Sequence, residues 1–287
     1  MKSLKKQTAE KLTGAESPET DASEIIRFVF GFSETDILMN PLREVTEEQM
    51  LQFDSLIEKR KSGYPLQYII GEWDFFGRTF KIPEGVLIPR PETEQLADCA
   101  CRFLKNKKNA VVFDICSGSG CIGLSVAADN PDCRVYLFDI TQEALFAEKI
   151  NKERFSLDNV TILDYDIFSG FSEEKLPFPD VILCNPPYVT EKEYLESQKE
   201  IFFEPKNAIV ASGDGLEFYR CLADKWLGNL NDGGFFMLES GEEQPEKILR
   251  IISENNSFDY SSYKIKTEND IYGVCRFVSG IKMKEGE

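Results

Sequence analysis

The sequence predicts an α/β protein in which a parallel sheet is covered by helices on both faces, with a small helical domain in front of it. Three observations carry this reading. Five short apolar runs alternate with stretches of helical character, the pattern that parallel strands and their crossovers require. The first sixty residues lack such runs and place apolar side chains at helical intervals. At 287 residues, 42% of them hydrophobic, the chain exceeds the common single-domain size and can fill a large core and a smaller one.

In the N-terminal part, Ile25, Ile26, Phe28, Val29 and Phe30 mark one helix, and Met50, Leu51, Phe53, Leu56 and Ile57 another. Ser23 and Thr46 are expected as N-caps, with Gln49 completing a capping box for Thr46. Asn40-Pro41 is expected to break the bundle, and Gly63-Tyr64-Pro65 to end its last long helix. Between Tyr64 and Ile88 the pattern shifts to aromatic and β-branched residues punctuated by glycine, which reads as a β-hairpin joining the two domains. Pro89-Arg90-Pro91-Glu92-Thr93-Glu94 follows as an ordered turn and helix start, with Pro91 near the first helical position and carboxylates in the first turn.

The strands are expected at Ala110–Asp114, Val135–Asp139, Val160–Leu163, Val181–Cys184 and Gly234–Glu239. Tyr260–Lys266 and Val274–Val278 close the chain as a hairpin. There is no internal repeat and no low-complexity segment.

Composition narrows the chemistry. The chain has no histidine, so it holds no Ser-His-Asp or Cys-His arrangement and no His-ligated metal. No metal site is expected. Lys and Arg number 33 against 50 Asp and Glu, and the net charge of −17 opposes a broad grip on phosphate backbones. The eight cysteines form no C-x-x-C pair and read as reduced thiols of a cytosolic protein. The N-terminus is charged, without the apolar core of a signal peptide, and no stretch is long and apolar enough for a membrane span, so a soluble cytoplasmic protein is expected.

Two constellations carry chemistry. Asn185-Pro186-Pro187-Tyr188 follows the fourth strand, at the carboxyl end where open α/β sheets bind ligands. Asn185 offers a side-chain carbonyl, and the prolines stiffen the backbone and leave carbonyls with no neighbouring N–H. A planar NH2 group could give one hydrogen to Asn185 and one to the Pro186 carbonyl, with Tyr188 as a flat stacking face. Such a site activates a weakly nucleophilic nitrogen by positioning rather than with a strong base.

The second constellation is Cys116-Ser117-Gly118-Ser119-Gly120, a small-residue turn between the first strand and an apolar helix, where a ligand can approach the backbone. Asp139, ending the second strand, can bond ribose hydroxyls. Asp166, after the third strand, can accept from an adenine amino group, with Ile167 and Phe168 beside the ring. These features alone do not separate NAD from S-adenosylmethionine. With the Asn185 tetrad they describe a methyl donor facing a held nitrogen.

Further stretches make the chain resemble the release-factor glutamine methyltransferases, the HemK/PrmC type, over nearly its whole length. They are Pro65–Ile69 with Gly71, Phe76-Gly77 with Phe80, Val86–Glu94, Ser117–Ile122, Asn185–Tyr188, Glu204-Pro205, Asp214–Arg220 and Glu239-Ser240-Gly241. The resemblance implies a class I (Rossmann-like) seven-stranded methyltransferase domain at 89–287, an N-terminal helical substrate-recognition domain at 1–62 and a hairpin linker at 63–88. It implies N5-methylation of the glutamine in the Gly-Gly-Gln loop of peptide chain release factors, with S-adenosylmethionine as cofactor. By that likeness Asn185 and Pro186 are catalytic and hold the glutamine amide, and Pro187 and Tyr188 complete the pocket. Residues 116–120, Asp139, Asp166, Ile167 and Asn185 contact the cofactor. Release factors are then the protein partners of a monomeric enzyme, with no stable nucleic-acid or membrane binding. The family usually has glycine where Cys116 stands, and a positive φ there would cost about 1 kcal/mol. Two rivals are a nucleic-acid adenine methyltransferase, which would need basic surface, and a partner-binding protein that keeps the fold without turnover.

Overall fold

Strand residues that are apolar on both faces have to be covered on both faces, and the centre of the sheet shows this directly. Every residue of β3 (Val111–Ile115), β6 (Val181–Cys184) and β7 (Phe235–Glu239) is buried. The computed structural model, which describes residues 2–39 and 44–284, adds β4 (Arg134–Asp139) and β5 (Val160–Asp164) on one side. On the other side lie β8 (Tyr263–Asn269) and β9 (Cys275–Lys282). The order is β5-β4-β3-β6-β7-β9-β8, parallel from β5 to β7, with β9 antiparallel to both β7 and β8. The chain leaves β3 toward β4 and later returns to β6 on the opposite side, so the carboxyl ends of β3 and β6 flank the switch point where such sheets bind ligands. The five expected strands form, shifted by one residue at some ends, and the last hairpin lies later than expected, with Tyr263–Asn269 and Cys275–Lys282 in place of Tyr260–Lys266 and Val274–Val278.

Helices α6 (Glu94–Leu104), α7 (Cys121–Asp129), α8 (Gln142–Phe155), α9 (Glu191–Leu195), α10 (Glu217–Lys225) and α11 (Pro245–Ser253) provide the cover and connections. The close seat of α7 on the sheet depends on Gly123, where a Cβ would lie 2.3 Å from Leu137 Cδ2. Trp226, Tyr219, Phe113, Phe138 and Phe236 are fully buried in the main core, the rings of Phe138 and Trp226 meeting edge to face at 5.4 Å.

Two compact units partition the chain: Met1–Trp73 with Gln198–Phe203, and Asp74–Ser197 with Glu204–Glu287. The first contains α1 (Lys2–Lys11), α2 (Pro18–Phe30), α3 (Glu34–Met39), α4 (Glu47–Lys61) and α5 (Leu66–Ile70). Ile25, Ile26, Phe30, Phe53 and Ile57 form its core, with Phe30 and Phe53 ring centroids 5.2 Å apart. Arg60, 5% exposed, donates from Nε to Asp21 Oδ2 at 2.6 Å, and its Nη2 lies 2.7 Å from Glu200 Oε1.

Thr46 and Gln49 form the expected capping box. Ser23 is not an N-cap: α2 begins earlier, with Pro18 in its first turn, and the Ser23 hydroxyl donates to the Glu19 carbonyl at 2.8 Å. The expected break at Asn40-Pro41 lies outside the described residues. The hairpin expected over Tyr64–Ile88 is narrower, consisting of β1 (Glu72–Phe75) and β2 (Arg78–Lys81). Its turn residues Phe76 and Gly77 have φ of 48° and 71°, both positive as in a type I′ turn. Leu66–Ile70 is helical, ended by Gly71 at φ 74°, because a five-residue, mostly apolar segment between proline and glycine fits one helical turn as well as a strand.

Candidate active site

A cavity of about 330 Å³ opens at the carboxyl ends of β3, β4 and β6. It brings together Cys116, Ser117, Gly118, Ser119, Asp139, Asp166, Ile167, Asn185 and Pro187, nine of the residues singled out from sequence. Gly120, Pro186 and Tyr188 are not in its wall. Gly120, with φ 76°, caps α7 under the loop, and buried Pro186 backs the tetrad.

The loop after β3 is fixed from below. Cys116 adopts φ 61°, the left-handed geometry at which a side chain is strained, and Gly118 follows at φ 57°. Two serines of the loop are turned away from solvent. The Ser117 hydroxyl donates to Glu148 Oε1 at 2.5 Å, and the Ser119 carbonyl accepts from Asn151 Nδ2 at 3.0 Å. Glu148 is fully buried with Oε2 unpartnered, and burial raises its carboxyl to about 9, so it is protonated at neutral pH. Asn151 also exchanges hydrogen bonds with the backbone of Lys81, which ties the loop to β2.

Asp139 is a framework group first. Its Oδ1 accepts from the Ile140 and Thr141 amides and the Thr141 hydroxyl, and its Oδ2 accepts the Gly118 N–H at 3.0 Å. Oδ2 keeps one lone pair for a ligand hydroxyl. Asp166 Oδ1 accepts from the Phe168 amide at 2.9 Å, turning the chain so that Ile167 and Phe168 face the cavity. Ile140 and Phe168 are 57% and 40% exposed although both line the cavity, apolar walls that a planar ring would cover. One acid at a strand end, a strained small-residue loop and two open apolar walls suit a nucleoside.

Across the cavity, the half-buried Asn185 donates from Nδ2 to Thr93 Oγ1 at 3.3 Å. The tetrad is clamped on its far side. Tyr188 N–H donates to the Ile209 carbonyl at 3.2 Å, the Tyr188 carbonyl accepts from Gln244 Nε2 at 2.9 Å, and Val189 pairs with Val210. Burial pushes the Tyr188 phenol far up, so it is neutral throughout the physiological range. Glu204 Oε2 accepts the Ile88 N–H at 3.0 Å and its Oε1 lies 2.5 Å from Arg90 Nη2, which holds the segment leading to Thr93. Among the described residues no group of three or more His, Cys, Asp or Glu side chains could hold a metal ion, and no helix is long and apolar enough to cross a membrane.

Residues 3–71 match the family model of the PrmC N-terminal domain, and residues 96–216 that of the methyltransferase small domain. The chain is 35% identical over 267 residues to the release factor glutamine methyltransferase of Bacillus cereus, covering 91% of this chain and 92% of that one. It belongs to that family. The Escherichia coli K12 member is 30% identical over 266 residues, 93% of this chain and 95% of that one. Among solved structures, a ribosomal protein L11 methylase from Lactobacillus delbrueckii subsp. bulgaricus shares the fold, with a TM-score of 0.50 at 15% identity over 71% of this chain and 86% of that one.

Within this family frame, the structure adds residues that sequence reasoning missed. Thr93, Glu148, Asn151, Glu239 and Gln244 all support the site from inside the fold. Thr93 and Glu239 stand in stretches quoted for the resemblance, so a signal existed for them, but without a role. For Glu148 and Asn151 nothing local in the sequence distinguishes them from other helix residues, and nothing marks Gln244, just before α11, as a support of the site.

Proposed function

We propose that this chain transfers a methyl group from S-adenosylmethionine to the side-chain N5 of the glutamine in the Gly-Gly-Gln loop of peptide chain release factors. One observation carries the reading: Asn185 commits its NH2 to Thr93 and so keeps its carbonyl for a ligand, in the wall shared with the loop at Cys116–Ser119. A donor NH2 is what such a carbonyl takes, and the Pro186 carbonyl, next along the chain, would be the second acceptor. Relatives at 30–35% identity named as release factor glutamine methyltransferases support the choice of substrate.

The cofactor, when bound, supplies a methyl group on a sulfonium, already activated for displacement. Asp139 Oδ2 would hold the ribose, Asp166 and the backbone near it the adenine edge, and Ile140, Ile167 and Phe168 the ring faces. Asn185 and Pro186 would draw on both amide hydrogens and aim the nitrogen at the methyl carbon. Methyl transfer would replace the S–C bond with an N–C bond, and the amide would give up one proton to solvent. Alignment of an activated group accounts for the rate, without a strong base. We further propose that the helical unit of the N-terminal region recognises the release factor, because one glutamine side chain buries too little surface to select a protein. The net charge of −17 weighs against a nucleic-acid substrate.

Purified protein, radiolabelled S-adenosylmethionine and intact release factor, followed by peptide mass spectrometry, test the reading. The glutamine should gain one methyl group. Asn185→Ala should lower kcat by about 100-fold or more while cofactor Kd changes by less than about threefold. Near-normal turnover by that variant, or methylation of RNA or DNA oligonucleotides in place of release factor, would overturn it.

A further inference from the structure

We propose that Thr93 and Glu239 act as a positioning pair that decides which end of the Asn185 amide faces the substrate; this rests on the functional reading above. An asparagine amide has two ends of nearly equal size, and only the carbonyl can accept from a substrate N–H. The flipped amide would present hydrogens to hydrogens. Some protein group beside Asn185 must therefore set the orientation.

Thr93 and Glu239 are each 2% exposed, and neither can exchange partners freely with water. Thr93 Oγ1 accepts from Asn185 Nδ2 at 3.3 Å, and the Thr93 hydroxyl stands beside the Glu239 carboxyl, which it lowers. A hydroxyl has one proton, and an ionised carboxylate only accepts. Facing an ionised Glu239, Thr93 must donate its proton downward, and its lone pairs can then only receive the Asn185 NH2. Asn185 Oδ1 is left toward the cavity. If Glu239 is protonated, it can donate to Thr93, whose own proton is free to point at Asn185, and the preference for one amide orientation disappears.

Burial raises the Glu239 carboxyl to about 7, and its Oε2 has no partner. Facing it are Glu92, which raises it further, and Arg90 and Arg276, which lower it. Tyr188, Tyr219 and Cys121 also face it and are all held neutral near pH 7 by burial. The active orientation therefore belongs to the ionised form, and turnover should rise with pH through about 7, although neither a sulfonium nor an amide titrates there.

The experiment is steady-state methylation of intact release factor by the full-length protein across pH 5.5–9, a range of about 1.5 to 2 units on either side of the Glu239 midpoint. Wild type should show kcat rising through about 7 with cofactor Kd nearly constant. Thr93→Val, close in shape but without the hydroxyl, should lose about 10- to 100-fold in kcat with cofactor Kd within about twofold. Thr93→Ser should retain kcat within about threefold. Glu239→Gln, whose amide can donate, should be slow and flat with pH. Should Thr93→Val not fold, Thr93→Ser and the wild-type and Glu239→Gln profiles still decide. Thr93→Val with kcat within twofold of wild type, or Glu239→Gln retaining the wild-type rise, would overturn the pair alone. A wild-type protein that leaves release factor unmethylated would overturn the functional reading and the pair with it.

Discussion

Replacing Gly215 with alanine probes how tightly the tetrad must be held, because this glycine lies outside the cavity and behind Tyr188. Gly215 has φ 77°, and a Cβ there would lie 2.5 Å from the Tyr188 carbonyl oxygen and 2.8 Å from Gln244 Nε2. A carbon and a carbonyl oxygen rest at roughly 3.3 Å, so about 0.8 Å must be found, and the atom in the way is backbone rather than a mobile side-chain end. Left-handed strain adds about 1–2 kcal/mol, and displacing Gln244 weakens its bond to Tyr188 by about 1 kcal/mol. The sum, about 2–3 kcal/mol, should lower Tm by roughly 4–10 °C. The larger effect should be on turnover, since a shift of this size at a positioning group costs on the order of 10- to 100-fold in kcat. Cofactor Kd should stay within about twofold, as Gly215 is not among the residues that line the cavity. Thermal melts, cofactor calorimetry and methylation kinetics on Gly215→Ala supply the three numbers. A variant with kcat within twofold of wild type would refute the argument that the clamp at Tyr188 sets the position of Asn185.

Cys116→Gly should relieve the strain at φ 61°, worth up to about 1 kcal/mol before glycine's unfolded-state entropy is subtracted; Tm should be unchanged or higher by as much as about 2 °C and cofactor Kd unchanged or lower, and a marked loss of affinity would show that the thiol contributes to binding. Glu148 has a folded carboxyl near 9 against about 4.3 unfolded, so the folded state binds the extra proton and stability falls as pH rises across that window. Glu148→Gln should remove this component, and urea melts of both proteins between pH 5 and 9, about the window set by that raised carboxyl, should diverge in the variant's favour as pH increases. Arg60→Met strands the buried Asp21 and should destabilise the first unit by about 3 kcal/mol, read as a shift in its urea midpoint; a midpoint within error of wild type would show that the pair contributes nothing.

The central strands were legible because burial on both faces leaves a continuous apolar run, and Val181–Cys184 has the bounds expected of it. Short runs were not: Leu66–Ile70 carries aromatic and β-branched residues but closes one helical turn between Pro65 and Gly71. Ser23 failed as a cap because Pro18 sets an earlier start, after which a serine inside a helix bonds back to its own turn. Of the site, the loop at 116–120 and the Asn185 tetrad could be read from residue type and position after a strand. Its supports could not, since Thr93 meets Asn185 across 92 positions and Ser117 meets Glu148 across 31. Such pairs exist only once the sheet has brought distant segments together, and no local pattern marks them.

The return of Gln198–Phe203 to the first unit has a consequence for the chain as it is made. Glu200 supplies the second carboxylate of Arg60, and Phe203 packs its ring against Tyr64 at 5.3 Å. A nascent chain that has just released Trp73 from the ribosome lacks both. All of 74–197 must be synthesised before they arrive, a wait on the order of ten seconds at ordinary elongation rates. Through that interval Arg60 has Asp21 as its carboxylate partner together with the Tyr64 carbonyl, and the Tyr64 ring has Tyr68 and Lys59 against it but not yet Phe203. The part of the protein that is translated first is therefore completed late, and a fragment cut at residue 73 would reproduce the waiting nascent chain rather than the finished unit.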